Sequence, residues 1–316
     1  MRWRIVFMGT PAFACPSLER LLSGPDAVVA LVCQPDRPRG RGLALVEPEA
    51  KRLALARGVP VLQPERLRDP AFQQQLRELA PDLIVVAAYG KILPRPVLDI
   101  PPHGSINVHA SLLPRHRGAA PIQWAILAGD HVTGVTIMVM NEEMDAGDVL
   151  LQRQTPITDD DTAGTVGDRL ADLGAAALAE AVDGLEQGTL RPRPQPTEGV
   201  TLAPRIEREQ GRLDWRRPAE ELARVVRAFA PAPSAFTMLG GQVLKVHRAV
   251  AEPQPDGPAA SPPGTVIDAG PGGILVTTGA GRLLLLEVQL EGRRRLSAAA
   301  FLAGHRVSPN TCLGVP

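Results

Sequence analysis

The stretch LIVVAAYG, residues 83–90, decides the fold. Six aliphatic side chains follow one another without a polar break, and Tyr89 and Gly90 close the run. A strand with one wet face alternates apolar and polar residues, whereas an unbroken apolar run ended by a turn residue fits a strand covered on both faces. Further strands are expected at RIVFM (4–8, closed by Gly9-Thr10-Pro11), VVALVCQ (28–34), INVHA (106–110) and TGVTIMVM (133–140). Helical patterns separate them. One has Pro16 near its start and Leu18, Leu21 and Leu22 as apolar positions, and LALARG and FQQQLRELA flank the short run PVLQ. Residues 162–187 form a long Ala/Leu-rich helix with Asp161 or Thr162 available as N-cap. This alternation predicts an α/β fold, a parallel sheet clad with helices on both faces. Such sheets bind ligands beyond the carboxyl ends of their strands, so the ends after residues 8, 34, 89, 109 and 140 are the places for function.

The chain changes character near residue 189. The stretch TLRPRPQPTEGVTLAPR is rich in proline and reads as a linker, placed at 190–206 between domains spanning 1–189 and 207–316. Beyond it come one helical pattern, AEELARVVRAFA, and short turn-bounded strands at VLKVHRAV, GTVIDAG, GILVTTG and RLLLLEVQL. Several short strands in this length predict a small OB-like β-barrel. The run at 251–264 is a loop, and no internal repeat is visible.

Composition narrows the class. With 44% hydrophobic and 22% charged residues the 316-residue chain is an ordinary globular protein. Aromatics at 3% disfavour a surface built on base stacking. Net charge is zero but divided: residues 191–316 carry 16 basic and 11 acidic side chains (+5), and the remainder 18 and 23 (−5). A basic second half favours an anionic partner. Cys15, Cys33 and Cys312 have no metal-type spacing and an odd count, which suits a reducing cytoplasm. The apolar run in MRWRIVFMGTP is too short for a signal peptide, and nothing approaches a membrane span.

The polar residues inside INVHASLLPRHRGAAP (106–121) need an explanation. Asn107 and His109 are two apart on a strand and share a face, an amide and an imidazole aimed at one region. They can polarise a carbonyl and move a proton, or they can form a buried pair satisfied by backbone. The loop MNEEMDAGDVL (140–150) offers Asp145 and Asp148 around Ala146-Gly147. A carboxylate beside an imidazole raises its pKa and orients it, although an acidic loop can equally be plain solvated turn. Other features are weaker. GTPAFACP lacks the G-x-G-x-x-G of a dinucleotide site. The spacings of His103, His109, His116 and His131 match no metal-ligand pair, so no metal is expected. Ser111 has no nucleophile-elbow context. PDRPRGRG (35–42) reads as a basic, mobile loop, a disordered surface loop or an arm for an anionic partner.

Taken together, RIVFMGTPAFACPSLERLL, QPDRPRGRG, PDLIVVAAYGKILP, INVHASLLPRHRGAAPIQWAILAGD, TGVTIMVMNEEMDAGDVL, GRLDW and LSAAAFLAGHRVSPNT closely resemble the methionyl-tRNA formyltransferases over almost the whole chain. The resemblance implies a Rossmann-like formyltransferase domain followed by a tRNA-binding barrel. It also implies transfer of a formyl group from 10-formyltetrahydrofolate to the amine of initiator methionyl-tRNA, by a cytoplasmic enzyme that needs no metal and need be no more than a monomer. It places catalysis on Asn107, His109 and Asp145. Folate contacts fall on Ser111, Leu112, Leu113, Pro114, Tyr89, Ile92, Leu93 and Met140, tRNA contacts on Arg39, Arg41 and Arg205, and the methionyl side chain at Phe13. After GRG this chain reads LALVEPEA where the family usually carries lysines. The rival readings are a folate-dependent formyltransferase for glycinamide ribonucleotide or an amino-sugar nucleotide, a non-catalytic RNA-binding protein on a retired enzyme fold, and an oxidoreductase. The linker, barrel and loop disfavour the first, the intact Asn-His-Asp set the second, and the missing glycine fingerprint the third.

Overall fold

The computed structural model describes residues 3–39, 44–253 and 261–314. It divides into two compact units, one of Met1–Pro121, Val132–Pro156 and Gly167–Pro204, the other of Ile122–His131, Ile157–Val166 and Arg205–Pro316.

In the first unit the chain runs β1 (Arg4–Gly9), α1 (Cys15–Leu22), β2 (Ala27–Val32), β3 (Arg37–Arg39), β4 (Ala44–Val46), α2 (Glu49–Ala56) and β5 (Val61–Leu62). It continues through α3 (Pro70–Glu78), β6 (Leu83–Ala87), α4 (Arg95–Leu98) and β7 (Ser105–His109). Then come α5 (Pro121–Ala128), β8 (Val132–Val139), β9 (Val149–Pro156) and α6 (Ala163–Glu186), with α5 after its first residue and the first residues of α6 grouped in the second unit. Seven strands form one sheet in the order β5-β2-β1-β6-β7-β8-β9. The five from β5 to β7 are parallel, and every β6 residue is buried, as the opening run requires. One face carries Val6, Met8, Val32, Ile84 and Val86 against Phe72 and Leu76 of α3. Burying each such side chain is worth about 1.5–3 kcal/mol. The α3 helix starts where Asp69 accepts the Ala71 amide and Pro70 fills the first turn.

The two strands beyond β7 are antiparallel. The acidic loop joins β8 directly to β9 as a hairpin, and a hairpin reverses direction. The strand β9 was not expected from the sequence because VLLQRQTP mixes polar and apolar residues, which suits an edge strand with one wet face. The basic loop after β2 contains the two-stranded pairing of β3 with β4.

The second unit adds α7 (Ala219–Ala228), β10 (Ala235–Leu239), β11 (Gln242–Glu252), β12 (Val266–Gly270), β13 (Gly273–Thr277), β14 (Arg282–Leu290), β15 (Leu296–Ser297) and α8 (Ala298–Leu302). Its six strands are all antiparallel, ordered β10-β11-β14-β13-β12 with β15 beside β14. Trp215 is buried there, its Nε1–H donating to Thr237 Oγ1 at 3.0 Å. Buried Trp tolerates an apolar core when its N–H finds such a partner.

Candidate active site

The β7 strand sits between β6 and β8, with Asn107 opposite Val86 and Met138 and His109 opposite Thr136. The pleat puts Asn107 and His109 on one face at the carboxyl end. Asn107 is half-buried, and its side-chain amide has no hydrogen-bond partner among the described residues. A half-buried amide with spare donors is suited to a ligand oxygen.

His109 is buried, 5% exposed. Its Nε2 lies 3.0 Å from the His116 carbonyl oxygen, which can only accept, so Nε2 carries the hydrogen and donates. Its Nδ1 lies 3.6 Å from Asp145 Oδ1. Burial pushes the imidazole pKa down, against the upward pull of the Asp145 charge and the His116 carbonyl, and burial is the larger. The ring therefore rests neutral with its basic nitrogen towards the carboxylate. A proton reaching Nδ1 would make a cation flanked by two oxygen acceptors.

Both sides of this site are built from tight loops. His116 has φ 57°, and its amide donates to Thr201 Oγ1 at 2.8 Å. Gly118 has φ 129°, and a Cβ there would come within 2.5 Å of the Ala203 carbonyl oxygen. Only glycine lets the loop lie this close, and the Gly118 amide then donates to Asp145 Oδ2 at 2.9 Å. Asp145 itself has φ 51°. Two residues on, a Cβ on Gly147 would stand 1.9 Å from the Val139 carbonyl oxygen.

A further residue, Gln195, is one that sequence reasoning missed. Its Nε2 donates to the carbonyls of Asp145 (2.9 Å) and Gly147 (2.7 Å). Its Oε1 accepts from Arg117 Nε (3.1 Å) and Nη2 (2.7 Å). Much of the stretch read as linker is paired with the first unit: Arg193 with Val149, and 201–203 with Arg117 and Ala120. Its prolines suit extended chain, so proline content marked it as a linker and hid its contribution.

The residues expected to meet folate divide by burial. The Ser111 hydroxyl is fully buried and donates to the Arg115 carbonyl at 2.6 Å, while the Ser111 carbonyl accepts from Thr136 Oγ1 at 2.7 Å. Leu113 is buried, its amide donating to Thr136 Oγ1. Tyr89 and Leu93 are in the core, and burial pushes the Tyr89 phenol up to about 12. Ile92 is 74% exposed, and Leu112, Pro114 and Met140 are half-buried.

A cleft of about 590 Å³ lies beside the carboxyl ends of β1, β2 and β6. Thr10, Gln34, Arg37, Glu47 and Lys91 line it. Gln34 Nε2 donates to the Tyr89 carbonyl at 3.1 Å, and Arg37 Nη2 to Gln34 Oε1 at 3.4 Å. The following loop is clasped by Lys51, which bonds Asp36 at 2.7 Å and Glu47 at 3.0 Å. Phe13 is half-buried in a 3-10 turn, Ala12–Ala14. Arg39 ends β3, Arg41 lies outside the described residues, and Arg205 is exposed in the second unit. Among the described residues no group of three His, Cys, Asp or Glu side chains could hold a metal, and no helix is long and apolar enough to cross a membrane.

Comparison with known proteins matches two family models to successive parts of the chain. The family model "Formyl transferase" matches residues 3–182, and "Formyl transferase, C-terminal domain" matches 205–306. A methionyl-tRNA formyltransferase of Myxococcus xanthus is 53% identical over 98% of this chain and 97% of its own length. That of Pelobacter propionicus is 49% identical over 98% and 96%. Among solved structures, HypX from Aquifex aeolicus in complex with tetrahydrofolic acid superposes with a TM-score of 0.63 at 20% identity, over 98% of this chain and 51% of HypX. An N-formyltransferase from Helicobacter canadensis gives 0.66 at 14% identity, over 90% and 99%. The structural likenesses bear on the fold alone. The sequence likeness is nearly full-length at about half identity, and with it this chain belongs to the methionyl-tRNA formyltransferase family.

Proposed function

We propose that this protein transfers the formyl group of 10-formyltetrahydrofolate to the α-amino group of initiator methionyl-tRNA. The observation that carries the chemistry is the Asn107 amide, without a hydrogen-bond partner among the described residues, on the same strand face as a buried His109–Asp145 pair. The amine attacks the formyl carbon, a C–N bond forms, and negative charge develops on the formyl oxygen. Asn107 donates to that oxygen, an interaction worth about 2.7–4 kcal/mol in such sites. From sequence His109 was expected to donate there too. Its Nε2–H is committed to the His116 carbonyl, which favours a different division of labour. Asn107 alone is assigned the oxyanion, while His109 Nδ1 and Asp145 take the proton shed by the attacking amine and return it to N10 of the folate as the old C–N bond breaks.

For the donor, Leu112, Pro114, Ile92 and Met140 have surface to offer, and Ser111, Leu113, Tyr89 and Leu93 support them from beneath. For the acceptor, Phe13 is assigned to the methionyl side chain and Arg39, Arg41 and Arg205 to acceptor-stem phosphates. The structure adds Arg37 and Lys91 at the cleft as candidates. Charge-driven binding of this kind weakens steeply with salt. We place the protein in the cytoplasm as a monomer, in keeping with the free thiols of Cys15, Cys33 and Cys312. The decisive assay supplies formyl-labelled 10-formyltetrahydrofolate with charged initiator tRNA and, separately, with glycinamide ribonucleotide. Label is expected on the tRNA; label on the ribonucleotide alone, or on neither, overturns the reading.

A further inference from the structure

We infer that Gln195 is a positioning residue for the reaction, holding the Asp145 backbone so that its carboxylate meets His109. The inference rests on the formyl-transfer reading above and names a part of the machinery outside the Asn-His-Asp set. Three observations carry it. Asp145 sits at φ 51°, in the left-handed region that is uncommon for non-glycine residues, although Asp is among the more tolerant of it. The Gln195 amide group spans the turn, donating to the carbonyls of Asp145 and Gly147. It cannot rotate away, because its oxygen accepts two N–H bonds from Arg117, one residue before the glycine whose amide holds Asp145 Oδ2.

The chemistry selects glutamine. The position must donate two hydrogens to carbonyls and accept two from a guanidinium. A primary amide does both; carboxylate, ammonium and guanidinium each lack one half. Turning the amide over would set its oxygen against two carbonyls and its NH₂ against Arg117, so the network also fixes its orientation. Gln195 thus ties three segments to one geometry: the 116–120 loop, the 140–148 loop and the extended stretch after α6.

The test uses the full chain with two substitutions. Gln195→Leu keeps bulk and removes all four bonds, while Gln195→Glu keeps shape and turns two bonds repulsive. Both are expected to lower kcat about ten- to hundred-fold, since misplacing a catalytic group by about 1 Å has that effect. KM for both substrates should stay within about threefold of wild type, the signature of an interaction that acts on the transition state and not on binding. A second readout does not depend on turnover. The charged or titratable groups facing His109 are Asp145 and the His116 ring, and Asp145 is the one that raises its pKa. In Gln195→Leu the wandering carboxylate should let the His109 NMR titration move to lower pH, with the resonance assigned by its loss in His109→Asn. Wild-type kcat in Gln195→Glu overturns the inference. So does a fall in kcat with an unmoved His109 titration, because the residue would then be merely structural. Inactivity of the wild-type chain with both acceptors defeats the formyl-transfer reading instead, and the titration still decides the positioning role.

Discussion

The sharpest perturbation of this site is one methyl group. In Gly147→Ala the new Cβ would lie 1.9 Å from the Val139 carbonyl oxygen, 3.0 Å from its carbon and 3.2 Å from Met138 Cε. Ordinary contact begins at 3.4 Å, so the chain must open by about 1.5 Å at this point. The end of β8 is the less yielding side: the Val139 amide donates to the Asp148 carbonyl at 2.8 Å and the strand is paired along its length. The displacement therefore falls on the 140–148 loop, two residues from Asp145, and strains the Gln195 bond to the Gly147 carbonyl. Overpacking of this kind costs about 1–3 kcal/mol of stability. For a unit of this size each kcal/mol lowers Tm by about 2–4 °C. The kinetic cost is larger in proportion, because a shift of about 1 Å in a catalytic group is worth about a hundredfold in rate. Formyl transfer to charged initiator tRNA, measured at saturating donor alongside a thermal melt, should show kcat down by about two orders of magnitude and KM little changed. Gly272→Ala, where nothing lies within 4 Å and φ is not in the left-handed region, is the control and should change neither. A Gly147→Ala protein with wild-type kcat refutes the assignment of Asp145 to the reaction centre.

Other outcomes follow from the same geometry. Asn107→Ala should lower kcat by about 10²–10³, with salt-dependent tRNA binding intact, measured by single-turnover formylation and a binding titration. Asp145→Asn removes the one carboxylate that raises the His109 pKa, so the His109 titration should move to lower pH by NMR, and a move upward contradicts the pairing. Tyr89 is the one tyrosine of the chain, so absorbance at about 295 nm reports it alone, and its phenol should titrate near 12, not near the ordinary value of about 10. Because its folded pKa is raised, the stability this shift contributes is complete below about pH 10 and lost as pH rises through about 12. Its hydroxyl is also buried without a partner among the described residues, so Tyr89→Phe should leave stability unchanged or raise it by about 1 kcal/mol in a denaturant melt; a loss would reveal a missed bond.

What could be read from sequence followed periodicity and chemistry that compete with burial. The parallel core was legible because β1, β2 and β6 are continuous apolar runs, and no soluble single-sided strand is written that way. Asn107 and His109 were legible because polar side chains inside such a run need a reason. The strand β9 was not, since an edge strand alternates weakly and carries charge. Nor was β10, which follows directly on a proline-rich turn that reads as loop. The burial of Ser111 and the commitment of His109 Nε2 depend on the path of the 110–118 chain, which no periodicity encodes.

Gln195 marks the deeper limit. Local sequence carries information on the structure a segment makes for itself, and the 191–204 stretch makes none: it has prolines, no apolar period and few buried side chains. Its role arises from where the ends of α6 and the 116–120 loop bring it, fifty residues from one of its partners in sequence and seventy-eight from another. A glutamine that satisfies two carbonyls and a guanidinium at once has no local signature, because each of its bonds is non-local. Its legible trace lies in the partners. The left-handed Asp145 is a conformation uncommon for a non-glycine residue, and the glycines at 118 and 147 mark places where backbone from another segment lies too close for a Cβ, so each points to a neighbour outside its own stretch. In a fold of this kind the strand that bears the reacting groups is therefore readable from its own residues, whereas the frame that aims them becomes visible only through the close approaches it makes.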